Sequence, residues 1–342
     1  MKRIMTAHGG GGEESRALLN GLVFKYFTNP ALSAMEDAAV LETKGKIAFT
    51  TDGYTVSPIF FGGGDIGKLA VSGTVNDLAV MGARALHMGV SFIIEEGFLI
   101  DDFQRILNSM KTQLDVTGAA VAAGDTKVVP AGSADGIFIT TSGIGEVLVE
   151  GLSAHNVQEG DAVIVSGTVG DHGACILAMR GGIGLKTDLQ SDCASLWPLV
   201  ERLINAGVGI RAMRDPTRGG LASALNEWAS LSSVDIEIEE DAIPVKPQVR
   251  GVCELLGMDH LSLACEGRLV LAVREEDAGR ALAALKGHPL GIDAEVIGRA
   301  VAARPLRQIA ARPLRQRVVL KSGYGTRRVL EYPSGELLPR IC

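Results

Sequence analysis

From about residue 45 the apolar and polar positions of the chain switch between two periods. "KIAFTTD", "AAVAAGD" and "GIFITTSGIGEVLV" have the composition of strands, and Phe103, Ile106, Leu107, Met110 and Leu114 recur at the spacing of one helical face. "KLAVSGTVNDLAVMG" reads as a helix of small and greasy residues. Near "LSAHNVQEGDAVIVSG" the character resets, with "EGD" as a turn into the first strand of a second lobe. Beyond it, Leu196, Leu199, Val200, Leu203 and Ile204 make one helical face, and Leu221, Leu225, Trp228 and Leu231 another. "DIEIE" and "RLVLAV" supply strands, and "EEDAGRALAALKG" is a helix ended by Gly287. The last segment predicts two short strands around a glycine turn, followed by a tail ending at Cys342.

This pattern predicts an α+β protein of two lobes. The expected division is an N-terminal glycine-rich segment (1–42), a first lobe (43–152), a second lobe (153–301), and a hairpin with a flexible tail (302–342). One irregularity interrupts it, a tandem copy in which "AARPLRQI" is followed by "AARPLRQR". It is too short and isolated for a repeat protein and reads as a lengthened surface loop. Its Arg304, Arg307, Arg312 and Arg315 are expected at a solvated surface, with an anion-binding patch as the alternative.

Composition agrees with two cores, since 342 residues exceed the usual single lobe and 46% are hydrophobic. With 33 basic against 40 acidic side chains the net charge is −7, which leaves no basic footprint for nucleic acid or an anionic membrane. No secretory signal or spanning segment is evident, so a cytoplasmic location is expected. The five cysteines lack CxxC spacing. Cys175, Cys193, Cys253 and Cys265 sit in settings that suit buried core thiols, whereas Cys342 stands on the last residue. Ten residues from Pro333 to Cys342 span about 35 Å when extended, enough to carry a thiol across a lobe.

Four carboxylates stand in apolar or glycine-rich company. Asp52 and Asp125 end strand-like segments and are expected to project from one sheet edge. Asp77 lies in the greasy helix beside Asn76, and Asp215 precedes a proline in "RDPTRGG". Hard oxygen ligands beside glycine-rich turns suit a magnesium–nucleotide site. Ordinary alternatives stand beside this: strand-to-turn aspartates for Asp52 and Asp125, a buried ion pair for Asp77 and a helix cap for Asp215. "HGGGGEES" and "FGGGDIGK" offer backbone amides to phosphate, yet neither matches GxxxxGK[ST] or GxGxxG. Lys127 suits a phosphate contact, a proton acceptor or an exposed turn, and Glu266 suits an acid, a base or a turn. The six histidines have no metal-binding spacing.

Taken together, "AHGGGGEES", "FTTDGYTVSPIFFGGGDIGKLAVSGTVNDLAVMGA", "AAGDTKVV", "VSGTVGDHG", "RDPTRGGL", "PVKPQVRGVCELLG", "ACEGRLV" and "LPRIC" resemble the HypE family of hydrogenase-maturation carbamoyl dehydratases. The likeness runs from about residue 5 to the end. Most motifs are shared with the wider aminoimidazole-ribotide-synthetase (AIR-synthetase, PurM-like) superfamily, which includes selenophosphate synthetase; the closing Pro-Arg-Ile-Cys singles out HypE. The duplication is the departure from the family pattern.

The resemblance implies a PurM/AIR-synthetase-like fold whose N-terminal sheet pairs across a homodimer. It implies ATP held by Gly9, Gly10, Gly11, Gly12, Asp52, Lys68, Asn76, Asp77, Asp125, Thr126 and Lys127, and Mg2+ held by Asp52, Asp77, Asp125 and Asp215. Lys127 and Glu266 would flank the substrate, and Cys342 would carry it. HypF would load a carbamoyl group on that thiol, ATP would drive its dehydration to thiocyanate, and the HypC–HypD complex would accept the cyanide. The alternative is a small-molecule synthetase of the same superfamily, of selenophosphate or ribotide type.

Overall fold

Helix α1 (Ile66–Val80) is the greasy helix of the sequence, and nearly all of it is buried. Its start is set by Asp65, whose carboxylate accepts hydrogen bonds from the Gly67 and Lys68 amides at 2.8 and 2.9 Å. Small residues let neighbours approach closely: a Cβ on Gly67 would lie 2.6 Å from the Ile106 carbonyl oxygen, which belongs to helix α2 (Ile100–Thr117). The computed structural model describes residues 3–9, 13–30, 41–180, 187–303, 317–333 and 340–342. Gly10, Gly11 and Gly12 lie outside these residues, as do Arg304, Arg307, Arg312 and Arg315 of the duplicated segment.

Both helices pack on one face of a four-stranded sheet made by β1 (Ile47–Tyr54), β2 (Ala83–Glu95), β3 (Ala120–Val129) and β4 (Ile137–Val147). The order is β1-β4-β2-β3; only the β2–β3 pair is parallel. Asp52 and Asp125 therefore lie inside edge strands rather than at strand ends, and on opposite edges rather than one. Three strand spacings separate those edges, about 14 Å. Faces separate them too. Thr50, Asp52 and Tyr54 point toward α1, whereas Asp125 and Lys127 stand beside Ser91 and Ile93 on the outward face. That outward face is open and mixed, with Phe49 66% and Ile47 50% exposed beside Thr51, Asp125 and Lys127.

The second lobe is built on a seven-stranded sheet: β5 (Ala162–Val165), β6 (Ile210–Arg214), β7 (Asp235–Glu239), β8 (Val270–Val273), β9 (Glu295–Val301), β10 (Val318–Lys321) and β11 (Arg327–Leu330). Its order is β11-β10-β7-β9-β5-β8-β6, with β10 parallel to β7 and the other pairs antiparallel. The predicted hairpin pairs into this sheet as its edge. Helices α3 (Asp171–Met179), α4 (Trp197–Asn205), α5 (Gly220–Ser232), α6 (Pro247–Leu256) and α7 (Ala278–Lys286) complete the lobe. Trp228 and Leu225 of α5 are buried at 1% and 0% exposure, as their helical spacing predicts. Cys175, Cys193, Cys253 and Cys265 are buried free thiols.

The lobes meet through Asn76. Its side-chain amide nitrogen donates to the Ala194 and Glu266 carbonyls at 3.0 and 3.3 Å, and its oxygen accepts from the Leu196 amide at 2.8 Å. The side chain is fully buried, so all three partners lose their bond if it is removed. Asn76→Ala is expected to lower the urea unfolding free energy by about 3 kcal/mol. Because the lost bonds join two lobes, the variant's unfolding followed by tryptophan fluorescence, which reports the second lobe through Trp197 and Trp228, should no longer coincide with that followed by far-UV circular dichroism of the whole chain.

Candidate active site

Four carboxyl groups converge where α1 faces the second lobe. On the first lobe, the Thr50 hydroxyl donates to Asp77 at 2.7 Å and the Thr74 hydroxyl to Asp52 at 3.4 Å. The second lobe supplies Asp215, just past β6, and Glu266, in the turn before β8; they are 6% and 2% exposed. Burial raises the Asp52 pKa above the ordinary carboxylate range, with the charge of Asp77 adding to it. Burial, then Asp77, pushes Asp215 up to about 7. Glu266 is driven well above its ordinary value by burial, then by Asp215 and Asp192.

Glu266 is held by its backbone. Asp192 accepts from the Glu266 and Gly267 amides at 3.1 and 3.3 Å, and Asn76 holds the Glu266 carbonyl. Glycine is required at 267, because a Cβ there would lie 1.8 Å from the Asp192 carbonyl oxygen. The side chain is left over: Glu266 Oε1 is buried with no hydrogen-bond partner. Such an orphan is costly and is typical of groups kept for proton transfer.

A cleft of about 330 Å³ opens beside Asp77 and Asp215. Phe49, Met81, Leu152 and Met213 give it an apolar wall, and Thr50 and Thr217 add hydroxyls. One apolar wall and a few convergent polar groups suit a flat ring with a polyanion. Among the described residues no group of three or more His, Cys, Asp or Glu side chains closes as an ion cage. Asp52, Asp77 and Asp215 nevertheless lie within electrostatic reach of one another. A divalent cation there would need phosphate and water oxygens for most of its ligands.

Other expected site residues stand elsewhere. Asp125 and Lys127 pair with each other at 2.8 Å, and this bond lowers the Asp125 pKa. The Thr126 amide donates to Asp125 at 2.8 Å. Lys68 Nζ donates to the Gly63 carbonyl at 2.9 Å. Asn76, expected at the nucleotide, has its amide taken up by three backbone groups and serves as a clamp between lobes. Gly9 closes the short 3₁₀ turn Thr6–Gly9.

Cys342 comes to this site. Its main-chain oxygen accepts from the Thr55 amide at 3.0 Å and the Thr55 hydroxyl at 3.3 Å, directly after β1. Burial pushes the thiol up to about 12, with Glu266 adding to the shift and Arg218 opposing it. Arg218 also opposes the upward shifts of Glu266 and Asp52. Sequence reasoning missed Arg218, since a lone arginine in a turn has no periodicity; its only signal was its place in "RDPTRGG", between Thr217 and two glycines with φ of +78° and +58°. It missed Asp192 and His172 as well, whose roles depend on contacts distant in sequence.

With this geometry in place, comparison with known proteins identifies the relatives. Residues 35–147 match the AIR synthase related protein N-terminal domain, and residues 158–308 match the corresponding C-terminal domain. The carbamoyl dehydratase HypE of Rhodobacter capsulatus is 46% identical over 346 aligned positions, covering 100% of this chain and 98% of that one. A crystal structure of the hydrogenase maturation protein HypE in complex with ATP superposes with a TM-score of 0.93 at 43% identity, over 99% of each chain. A HypE–HypF complex structure matches with a TM-score of 0.78 at 44% identity, over 93% of this chain and 100% of that one. A site of buried carboxyls facing a docked cysteine, on a two-domain AIR-synthase frame shared along the whole length, shows that the chain belongs to the HypE family of carbamoyl dehydratases.

Proposed function

We propose that the chain uses ATP to dehydrate an S-carbamoyl group carried on Cys342 to an S-thiocyanate, the source of cyanide for the iron centre of a [NiFe] hydrogenase. The observation that carries this reading is Glu266, whose Oε1 is buried without a partner within electrostatic reach of the Cys342 thiol. The alternative of a free small-molecule substrate leaves that docked cysteine without a purpose.

The reaction converts Cys342–S–C(=O)–NH₂ and ATP to Cys342–S–C≡N, ADP and phosphate. Bound Mg-ATP supplies the phosphoryl group that turns the carbamoyl oxygen into a leaving group. In the reading proposed, Asp52, Asp77 and Asp215 would hold the metal. Glu266 takes one nitrogen proton; the other leaves with phosphate as the C–O bond breaks. Arg218 balances negative charge beside the sulfur.

Asp125 and Lys127 enter this reading through a second copy of the chain. The exposed Ile47, Phe49 and Ile93 on the open face of the first sheet support a homodimer, and closing two such sheets edge to edge would set β3 of one protomer by β1 of the other. HypF is proposed to load Cys342 and HypC–HypD to receive the cyanide, in the cytoplasm; among the described residues no helix is long and apolar enough to cross a membrane. The division at about residue 152 then separates a nucleotide and dimer lobe from one that supplies Glu266.

Glu266→Gln is expected to slow dehydration at least about 100-fold while carbamoyl loading persists; mass spectrometry of the Cys342 peptide distinguishes the carbamoyl form from the form that has lost water. For the dimer, mixing and reassembling inactive Glu266→Gln and Lys127→Ala chains should restore activity, since one of the two shared sites regains both residues. No restoration would place the two residues in one protomer's site. A third expectation concerns pH. With its folded pKa raised to about 7, Asp215 contributes stability present below its unfolded value near 4 and lost as pH rises through about 7. In nucleotide-free protein, Asp215→Asn should therefore gain on the wild type by on the order of 2 kcal/mol between pH 5 and pH 8 in urea titrations.

A further inference from the structure

The tail is gripped by its main chain. Three successive oxygens are captured, beginning with that of Arg340, which accepts from the Ser57 amide at 3.2 Å and from the Arg180 guanidinium. The Ile341 oxygen meets His172 Nε2 at 2.8 Å, and the Cys342 oxygen accepts from Thr55. Residues 340–342 thus run antiparallel to 55–57 as a short added strand. Ile341 is buried against the first-lobe core, and Arg340 Nε donates to the Thr55 carbonyl at 2.8 Å while its guanidinium pairs with Asp135. The Cys342 sulfur makes no hydrogen bond to any described residue.

His172 is built for this contact. A carbonyl only accepts, so Nε2 carries the proton and donates to Ile341, while Nδ1 accepts from the Ser191 hydroxyl at 2.8 Å. Arg180 spans two segments, donating from Nε to the Ser57 carbonyl at 2.8 Å and from Nη2 to Arg340. Neither residue reaches the carboxyl cluster. Opposing features keep the grip shallow: Arg340 is a non-glycine residue at φ +53°, and its Nη2 is buried without a partner.

We propose that His172 and Arg180 are positioning residues of a tail seat that reads backbone oxygens and is blind to what the sulfur carries, so that free, carbamoylated and cyanylated tails dock alike. This rests on the function proposed above, in which one seat must hold both substrate and product. It assigns docking to groups separate from the chemistry.

Hydrogen exchange of the Thr55 and Ser57 amides in the full-length protein tests the seat without reference to activity. Cys342→Ala should leave their protection within about threefold of wild type, and S-carbamoylated protein should do the same. Arg180→Ala should lower both by about tenfold, the equivalent of one charge-assisted hydrogen bond, with Arg180→Lys intermediate and the β1 amides unchanged. His172→Gln, which retains a donor, should fall between Arg180→Ala and wild type. Loss of protection in Cys342→Ala, or unchanged protection in Arg180→Ala, overturns the proposal. Failure of Glu266→Gln to block dehydration would sink the functional reading and leave this result standing.

Discussion

One buried carboxamide fixes Glu266, the reactive carboxyl of the second lobe, against the first lobe. Asn76 projects from a helix of the first lobe and binds three backbone groups of the second, one of them the carbonyl of Glu266. Asp192 takes the amides of Glu266 and Gly267, and the missing side chain at 267 allows the two segments to touch. With its backbone fixed from both sides, Glu266 has no freedom to find solvent. Its lone carboxyl oxygen is thus a product of lobe packing rather than of the local turn.

The same packing controls the sulfur. A thiol pushed up to about 12 is a weak nucleophile at neutral pH. In the proposed cycle, loading therefore belongs to the undocked tail, and the seat receives a group already attached. The docked position suits dehydration instead, because there the passenger meets a carboxyl with raised proton affinity and a cationic arginine. The two half-reactions ask opposite things of the environment, which a carrier that moves can satisfy in turn.

Much of this was legible in the chain. The helical faces at 103–114 and 221–228 and the strands around Asp52 and Asp125 follow from periodicity, since each buries one side against one core; Leu231, expected on the second face, is instead 45% exposed at the end of its helix. Asp77 and Asp215 stood out because charge in greasy or glycine-rich company needs a reason, and both line the cleft. What periodicity omits is strand order. Asp52 and Asp125 look equivalent in sequence, yet their strands occupy opposite edges and their side chains opposite faces. Asn76 was read as a ligand since its type and neighbour suited one, and only a contact 190 residues away revealed a clamp. His172, Arg180 and Thr55 escaped notice for the same reason: each acts on a segment more than 150 positions distant.

The register of the second sheet accounts for the stuttered arginine segment. Val301 of β9 lies opposite Asp235, and Val318 of β10 lies opposite its neighbour Ile236, so the chain leaves and re-enters on either side of the start of β7. Both anchor points are fixed by pairing that does not involve the intervening link. The tandem eight-residue copy falls between these two anchors, so the pairing of β9 and β10 with β7 is set by residues outside it. Because both flanking strands are anchored by their own pairing, the β9–β10 connection is a natural place to graft a tag or reporter.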